Sequence, residues 1–144
     1  MNGDYIVDKS FGVGKEYELI NIINDYFRPK YDEAEIKNTK EIYNDEYFPY
    51  DFEGSTHKTS FELKSRRNTK NAFPTTLLAC HKVRRNAEGK QVFIFTFKDC
   101  NAYIEYDSAL FSTFQKEIVY QNRYNKKDIP KPHYYIPIKH LTVF

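Results

Sequence analysis

Between residues 11 and 27 the apolar positions Val13, Tyr17, Leu19, Ile20, Ile23 and Phe27 recur every three to four residues, which predicts an amphipathic first helix ended by Pro29. Residues 32–46 are mixed and acidic and read as a loop or a short helix. Two strand-like runs, 47–53 and 59–65, flank Gly54-Ser55-Thr56-His57 and predict a hairpin. Pro74, followed by Thr75-Thr76-Leu77-Leu78-Ala79 and a basic stretch to Arg85, predicts a helix with proline near its first turn that finishes before Gly89. Residues 91–98 are apolar on both faces, as in a central strand covered on two sides, and 102–106 are expected to pair with them through Asp99-Cys100-Asn101. Beyond that, 114–121 reads as strand or helix, 122–133 as a polar loop and 134–138 as a short strand. The order predicts a mixed α/β or α+β fold around a central sheet.

Composition adds the size of the core. The chain has 144 residues, 40% hydrophobic and 17% aromatic; thirteen Tyr and twelve Phe give it bulk despite one Met and no Trp. This excludes global disorder and predicts a single domain over 1–144, with a core at about 9–106 and a tail at 107–144. No run approaches the roughly 18 apolar residues of a membrane span, and the N-terminus lacks a basic-then-apolar leader, so the expectation is a soluble, intracellular, non-secreted protein without a membrane partner. Cys80 and Cys100 form no CxxC or Cys/His cluster and read as reduced, packed thiols. Net charge is only +2, but it is unevenly placed: residues 1–53 carry 6 basic and 13 acidic side chains, and residues 64–90 carry 8 basic and 1 acidic. Two readings stay open, two solvated faces or an acidic metal cluster beside a basic phosphate surface.

The second strand of the hairpin carries the candidate chemistry. Glu62 and Lys64 are two apart and share a face, while Phe61 and Leu63 point to the other. Folding the hairpin about its midpoint puts Asp51 opposite Glu62, and two carboxylates across a ladder repel unless a positive charge lies between them. A divalent cation meets that need: Mg²⁺ takes one or two carboxylates, keeps several waters and stays open to a phosphate oxygen. Lys64 then orients or activates a water, or stabilises charge developing on phosphorus. On the first helix Glu16 projects into the apolar face, whereas Glu18 projects with Asn21 and Asp25. A carboxylate in a buried stripe is costly unless paired or ligating, which directs Glu16 to the same site; the other reading is that it only favours the helix N-terminus. Ser65, Arg66, Arg67 and Lys70 are the best phosphate contacts, continued by Lys82, Arg84 and Arg85, with a solvated loop as the alternative. His57 in the expected turn and His81 on the expected helix read as ordinary histidines, with contact to metal or phosphate as the alternative, and Asp99, Glu105 and Asp107 read as structural acids. The tail aromatics Phe111, Phe114, Tyr120 and Tyr124 read as a self-association surface or as internal packing.

Gly12 and Glu16 on a first helix, then Asp51, ten residues, and Glu62-Leu63-Lys64-Ser65-Arg66 resemble the PD-(D/E)xK nuclease superfamily, above all archaeal-type Holliday junction resolvases and small viral or phage nucleases. The resemblance covers roughly residues 9–98, with Tyr50 where the motif has proline. It implies a restriction-endonuclease-like αβββαβ core and metal-dependent hydrolysis of DNA phosphodiesters, with Glu16, Asp51, Glu62 and Lys64 as the catalytic set. It implies Mg²⁺ or Mn²⁺ held by Asp51, Glu62, Glu16 and the Leu63 carbonyl. DNA, branched DNA in particular, is the implied partner, and a homodimer the implied assembly. A non-catalytic nucleic-acid-binding module or assembly subunit on the same fold is the competing reading, and RNA stays open as a substrate.

Overall fold

The apolar stripe of the first helix, α1, is realised over residues 18–31 of the computed structural model, which describes residues 18–119 and 130–144. Leu19, Ile23, Phe27 and Tyr31 are buried, while Glu18, Asn21 and Asp25 are exposed, so the helix has the expected phase. Glu16 lies outside the described residues. Contrary to the expected stop, the helix runs through Pro29: near a C-terminus, proline forfeits little beyond the one bond its missing N–H would make. The end is set three residues later, where Asp32 adopts a left-handed conformation (φ 54°) and Glu33 N donates to Arg28 O at 3.0 Å, a Schellman cap.

The chain divides into two compact units, Met1–Phe61 and Glu62–Phe144. In the first, α1 is followed by β1 (Ile36–Asn38), α2 (Thr39–Tyr43), β2 (Phe52–Gly54) and the start of β3 (Ser60–Ser65). β1 pairs antiparallel with β2, and β2 with β3 through Phe52↔Phe61 and Glu53↔Ser60. That register is the one expected for the hairpin. Its first strand, however, begins at Phe52 rather than at Tyr47, because the preceding aromatics satisfy one another instead of a ladder. Asn44 closes α2 in a left-handed conformation (φ 49°), Tyr43 stacks on Phe48 at 4.1 Å, and Phe48 meets Tyr50 edge-on at 5.0 Å. β1, at three residues, is too short for a period of two to stand out in the acidic stretch. Phe27 packs between Tyr31 and Phe61 at 5.9 and 5.2 Å, with Ile23, Ile36 and Phe52 also buried.

Glu33 closes the hairpin turn. Its Oε1 accepts from Thr56 N and His57 N, each at 2.7 Å, and its Oε2 from Thr59 N at 3.2 Å. Burial pushes this carboxyl up, and the hydrogen bonds from His57, Thr59 and Thr56 together outweigh it and hold it below the usual carboxylate range. The neighbouring Gly54 is required for space: a Cβ there would run into the Glu33 carboxylate.

The second unit holds the rest of β3, then β4 (Thr75–Ala79), β5 (Gln91–Thr96), β6 (Asn101–Glu105), α3 (Ser108–Phe111), β7 (Gln115–Val119), β8 (Lys131–Pro137) and β9 (Thr142–Val143). β3, β5, β6 and β9 neighbour one another in that order, and β4, β8 and β7 form a second sheet. All six residues of β5 are buried, and β6 returns antiparallel beside it after a turn closed by Phe97 N donating to Cys100 O at 2.8 Å, both as expected. The helix expected after Pro74 is not formed. A strand and a 3₁₀ turn (Cys80–Lys82) stand in its place, so the second helix of the αβββαβ order is missing at this position. Thr76 and Leu78 are buried while Thr75, Leu77 and Ala79 are half-buried, a period of two. The ladder runs from Thr75↔Pro137 to Ala79↔His133. β-branched threonines suit that pairing, and the partner strand lies far along the chain.

The segment read as a tail is core. Phe111, Phe114, Tyr134, Ile136, Ile138 and Leu141 cluster with Leu78, Phe93 and Phe95. Phe111 and Phe114 are therefore internal packing and not a self-association surface; Tyr120 and Tyr124 lie outside the described residues. The fold is mixed α+β, with a mixed multi-stranded sheet and few helices. Among the described residues no helix is long and apolar enough to cross a membrane.

Candidate functional site

Strand alternation in β3 sends Glu62 and Lys64 to one face, as expected, and there they meet. Glu62 is 7% exposed, and the Lys64 ammonium lies 3.4 Å from its Oε1. A second ammonium reaches the same oxygen: Lys82, from the 3₁₀ turn after β4, is 3.2 Å away. Burial lowers the Lys64 pKa first; Glu62 pulls it up, Lys82 and Arg66 push it down, and the balance lies below the ordinary lysine value. Two cations on one carboxylate leave the cluster with an excess of positive charge. Truncating Glu62 would leave half-buried ammonium groups unmatched, which is the costly way to break a buried ion pair.

Arg66, expected to touch phosphate, is a structural clamp. Its Nε donates to Thr76 Oγ1 at 3.0 Å, its Nη2 donates to Leu77 O, and the guanidinium lies 5.4 Å from the centre of the Phe95 ring. Its backbone N donates to Thr96 O at 2.8 Å, and the adjacent Ser65 Oγ accepts from Thr96 Oγ1 at 3.2 Å. Arg67 and Arg85 are exposed, and Lys70 is half-buried with its backbone N donating to Asp99 Oδ1 at 2.9 Å. Arg84 exchanges backbone hydrogen bonds with the Gln91 amide at 2.8 and 3.0 Å. Asp99 thus braces a turn; Asp107 caps α3 by accepting from Leu110 N at 3.0 Å, and Glu105 lies 3.8 Å from Lys90. These are the structural roles expected of the three acids. Cys80 and Cys100 are free thiols, raised in pKa first by burial.

In the first unit, Asp51 N donates to Phe61 O at 3.0 Å, and its carbonyl accepts from Thr39 N at 2.9 Å and from Thr39 Oγ1 at 3.1 Å. Its side chain is half-buried. The sequence reading missed Glu53, which is 5% exposed: Oε2 accepts from Tyr43 OH and Oε1 from Tyr50 OH, both at 2.6 Å. The hydrogen bond to Glu53 is the main reason the Tyr43 phenol is raised above its usual pKa. The signal was present, because Glu53 is two residues after Asp51 on an alternating strand. Glu53 borders an open groove of about 1400 Å³ that also touches Asn24, Arg28, Lys37, Lys40 and Lys58. His57 is exposed and 3.6 Å from Asp32.

The geometry within one unit therefore brings together Glu62, Lys64 and Lys82, the last drawn from the expected phosphate surface into the acidic pair. Among the described residues no group of three or more His, Cys, Asp and Glu side chains is arranged to hold a metal ion. Glu62 Oε1 already carries two ammonium contacts, which a cation would displace. No family model matches the chain, and no curated protein and no solved structure is significantly similar to it.

Proposed function

We propose that the protein is a divalent-metal-dependent nuclease that hydrolyses DNA phosphodiesters, with Lys64 and Glu62 at its centre and Asp51 and Glu16 completing the acidic set. The observation that carries the reading is the pairing of buried Glu62 with half-buried Lys64 on β3, immediately after a hairpin with the expected register. A restriction-endonuclease-like core with a strand in place of the second helix is part of the same proposal. Asp51, Glu62 and the Leu63 carbonyl are the groups that would hold Mg²⁺ or Mn²⁺, and Glu16 would join them. When bound, such an ion supplies Lewis-acid stabilisation of the phosphoryl oxygens and a more acidic water. The chain's own contribution falls to Lys64: burial weakens its hold on its proton, so it orients a water or donates toward an oxygen gaining negative charge. Lys82 keeps Glu62 neutralised while no other cation is present.

One observation favours the competing reading, a non-catalytic nucleic-acid-binding module. Lys82 gives Glu62 a second protein counter-ion beside Lys64, which weakens the need for a metal at that carboxylate. Incubating the purified protein with labelled linear, flapped and four-way-branched DNA in Mg²⁺, Mn²⁺, Ca²⁺ or EDTA separates the two. A nuclease cuts with Mg²⁺ or Mn²⁺, stops in EDTA, and binds with little turnover in Ca²⁺; branched DNA is expected to be cut fastest. Binding without cutting under every condition leaves the module.

A further inference from the structure

We propose that Lys82 and Lys131, with Lys64 behind them and the His81 ring beside them as a hydrogen-bond donor, form a cationic surface at one end of the β4–β8 pair that seats a backbone phosphate of nucleic acid. It deepens the nuclease reading by relocating its phosphate contacts, and it rests on that reading for the identity of the polyanion; it requires neither metal nor cleavage.

The surface follows from β4 being a strand. Its last residue, Ala79, pairs with His133, so the start of β8 runs beside the Cys80–Lys82 turn that carries His81 and Lys82. Lys131 begins β8 and is exposed, and His81 is exposed as well. His133 is 7% exposed, with Nδ1 2.9 Å from Lys131 O, which ties its ring to the backbone at that point. Burial first, and then the charges of Lys131, Lys82, Lys64 and His133, hold the His81 imidazole below its usual pKa.

Among the described residues, the nearby acids that face these groups have partners. Glu62 is matched by Lys64 and Lys82, and Glu117, opposite His133 on β7, accepts from Gln115 Nε2 at 2.7 Å and from Tyr135 OH at 3.0 Å. A concentration of like charge opposes folding unless an anion relieves it, and several cations on one surface match a phosphodiester chain better than a single carboxylate. Arg66, spent on Thr76, Leu77 and Phe95, is not part of the surface. With Arg66 held in the fold, the phosphate contacts are placed in this proposal at the β4–β8 end rather than on Arg67 and Lys70.

The test is binding of a fluorescein-labelled DNA duplex in Ca²⁺ across a salt series, by the wild-type chain, His81→Ala/Lys131→Ala and Arg67→Ala/Lys70→Ala. The first double variant should bind at least about fivefold more weakly, with a salt slope smaller by about one unit from the lost Lys131 charge, while the second stays within about twofold of wild type. His81, Lys131 and Arg67 are exposed and Lys70 is half-buried, and matched thermal melting of the variants will show that the fold is kept. As a second readout, inorganic phosphate should shift the His81 Cε1–H resonance in the wild type and much less in Lys131→Ala. Unchanged affinity and slope in His81→Ala/Lys131→Ala overturn the proposal, as does a wild type that takes inorganic phosphate at His81 but no DNA. DNA binding that depends on His81 and Lys131 in a protein that never cuts supports the surface and removes the nuclease reading instead.

Discussion

At Glu33 a single carboxylate accepts three backbone N–H groups, from Thr56, His57 and Thr59, and so holds the turn that aligns β2 with β3. Removing it strands the buried Thr59 donor, worth about 1–3 kcal/mol, and frees the more exposed Thr56 and His57 donors to water, so Glu33→Ala should lower stability by about 1–3 kcal/mol in chemical denaturation. The hydrogen bonds hold its folded pKa below the unfolded value of 4.5. Its contribution is then complete above the unfolded pKa and fades as pH falls through the depressed folded one. Denaturation from pH 7 to pH 3 should show the wild type losing this increment while Glu33→Gln changes less; parallel curves would remove the carboxylate from that role. Residue-level legibility followed the same logic of local against distant partners. Glu62 and Lys64 could be paired from a spacing of two, and Glu53 lay within reach of that argument. The arrival of Lys82 at Glu62 could not be read, because it depends on a strand pairing with residues more than fifty positions away.

Among the elements, the β2–β3 register was legible because a short turn constrains which residues can face each other, and an alternating strand then sets their faces. The same hairpin gives a test of packing. Gly54→Ala should destabilise the protein in the wild-type background, because its methyl group meets the Glu33 carboxylate, and by clearly less in Glu33→Ala, where that space is free. Equal penalties in the two backgrounds would show that Gly54 is held for another reason. β4 was misread for a physical cause: Thr75-Thr76-Leu77-Leu78-Ala79 is a short apolar run whose period does not separate strand from helix, and Pro74 is compatible with either start. The tie was broken by tertiary pairing with β8. Pro29 was misread in the opposite direction, since a proline in the last turn removes little and the left-handed Asp32 sets the stop.

For the whole molecule, the structure decides most about the C-terminal third, whose aromatics sequence alone left between internal packing and a self-association surface and which supplies Phe111, Phe114, Tyr134, Ile136, Ile138 and Leu141 to the core. Phe111 is 1% exposed and meets Tyr106, Phe114 and Tyr134 at 4.8, 5.0 and 5.3 Å. Phe111→Ala should therefore cost about 3–5 kcal/mol without altering the sedimentation coefficient of the folded protein; a stable variant with a changed oligomeric state would return this residue to an interface. The central buried strand and its partner were legible because β5 is apolar on both faces and β6 follows it directly, whereas the β4–β8–β7 sheet joins segments that carry no mutual signal in the sequence. The functional account rests on Lys64 acting with Glu62 on a phosphodiester. Its most direct test is cleavage of a labelled four-way junction and of its linear arms in Mg²⁺ by the wild-type chain and by Lys64→Ala of matched thermal stability. The account predicts Mg²⁺-dependent cutting by the wild type and a loss of orders of magnitude in Lys64→Ala. A Lys64→Ala protein that cuts at the wild-type rate, or cutting that persists in excess EDTA, would contradict it.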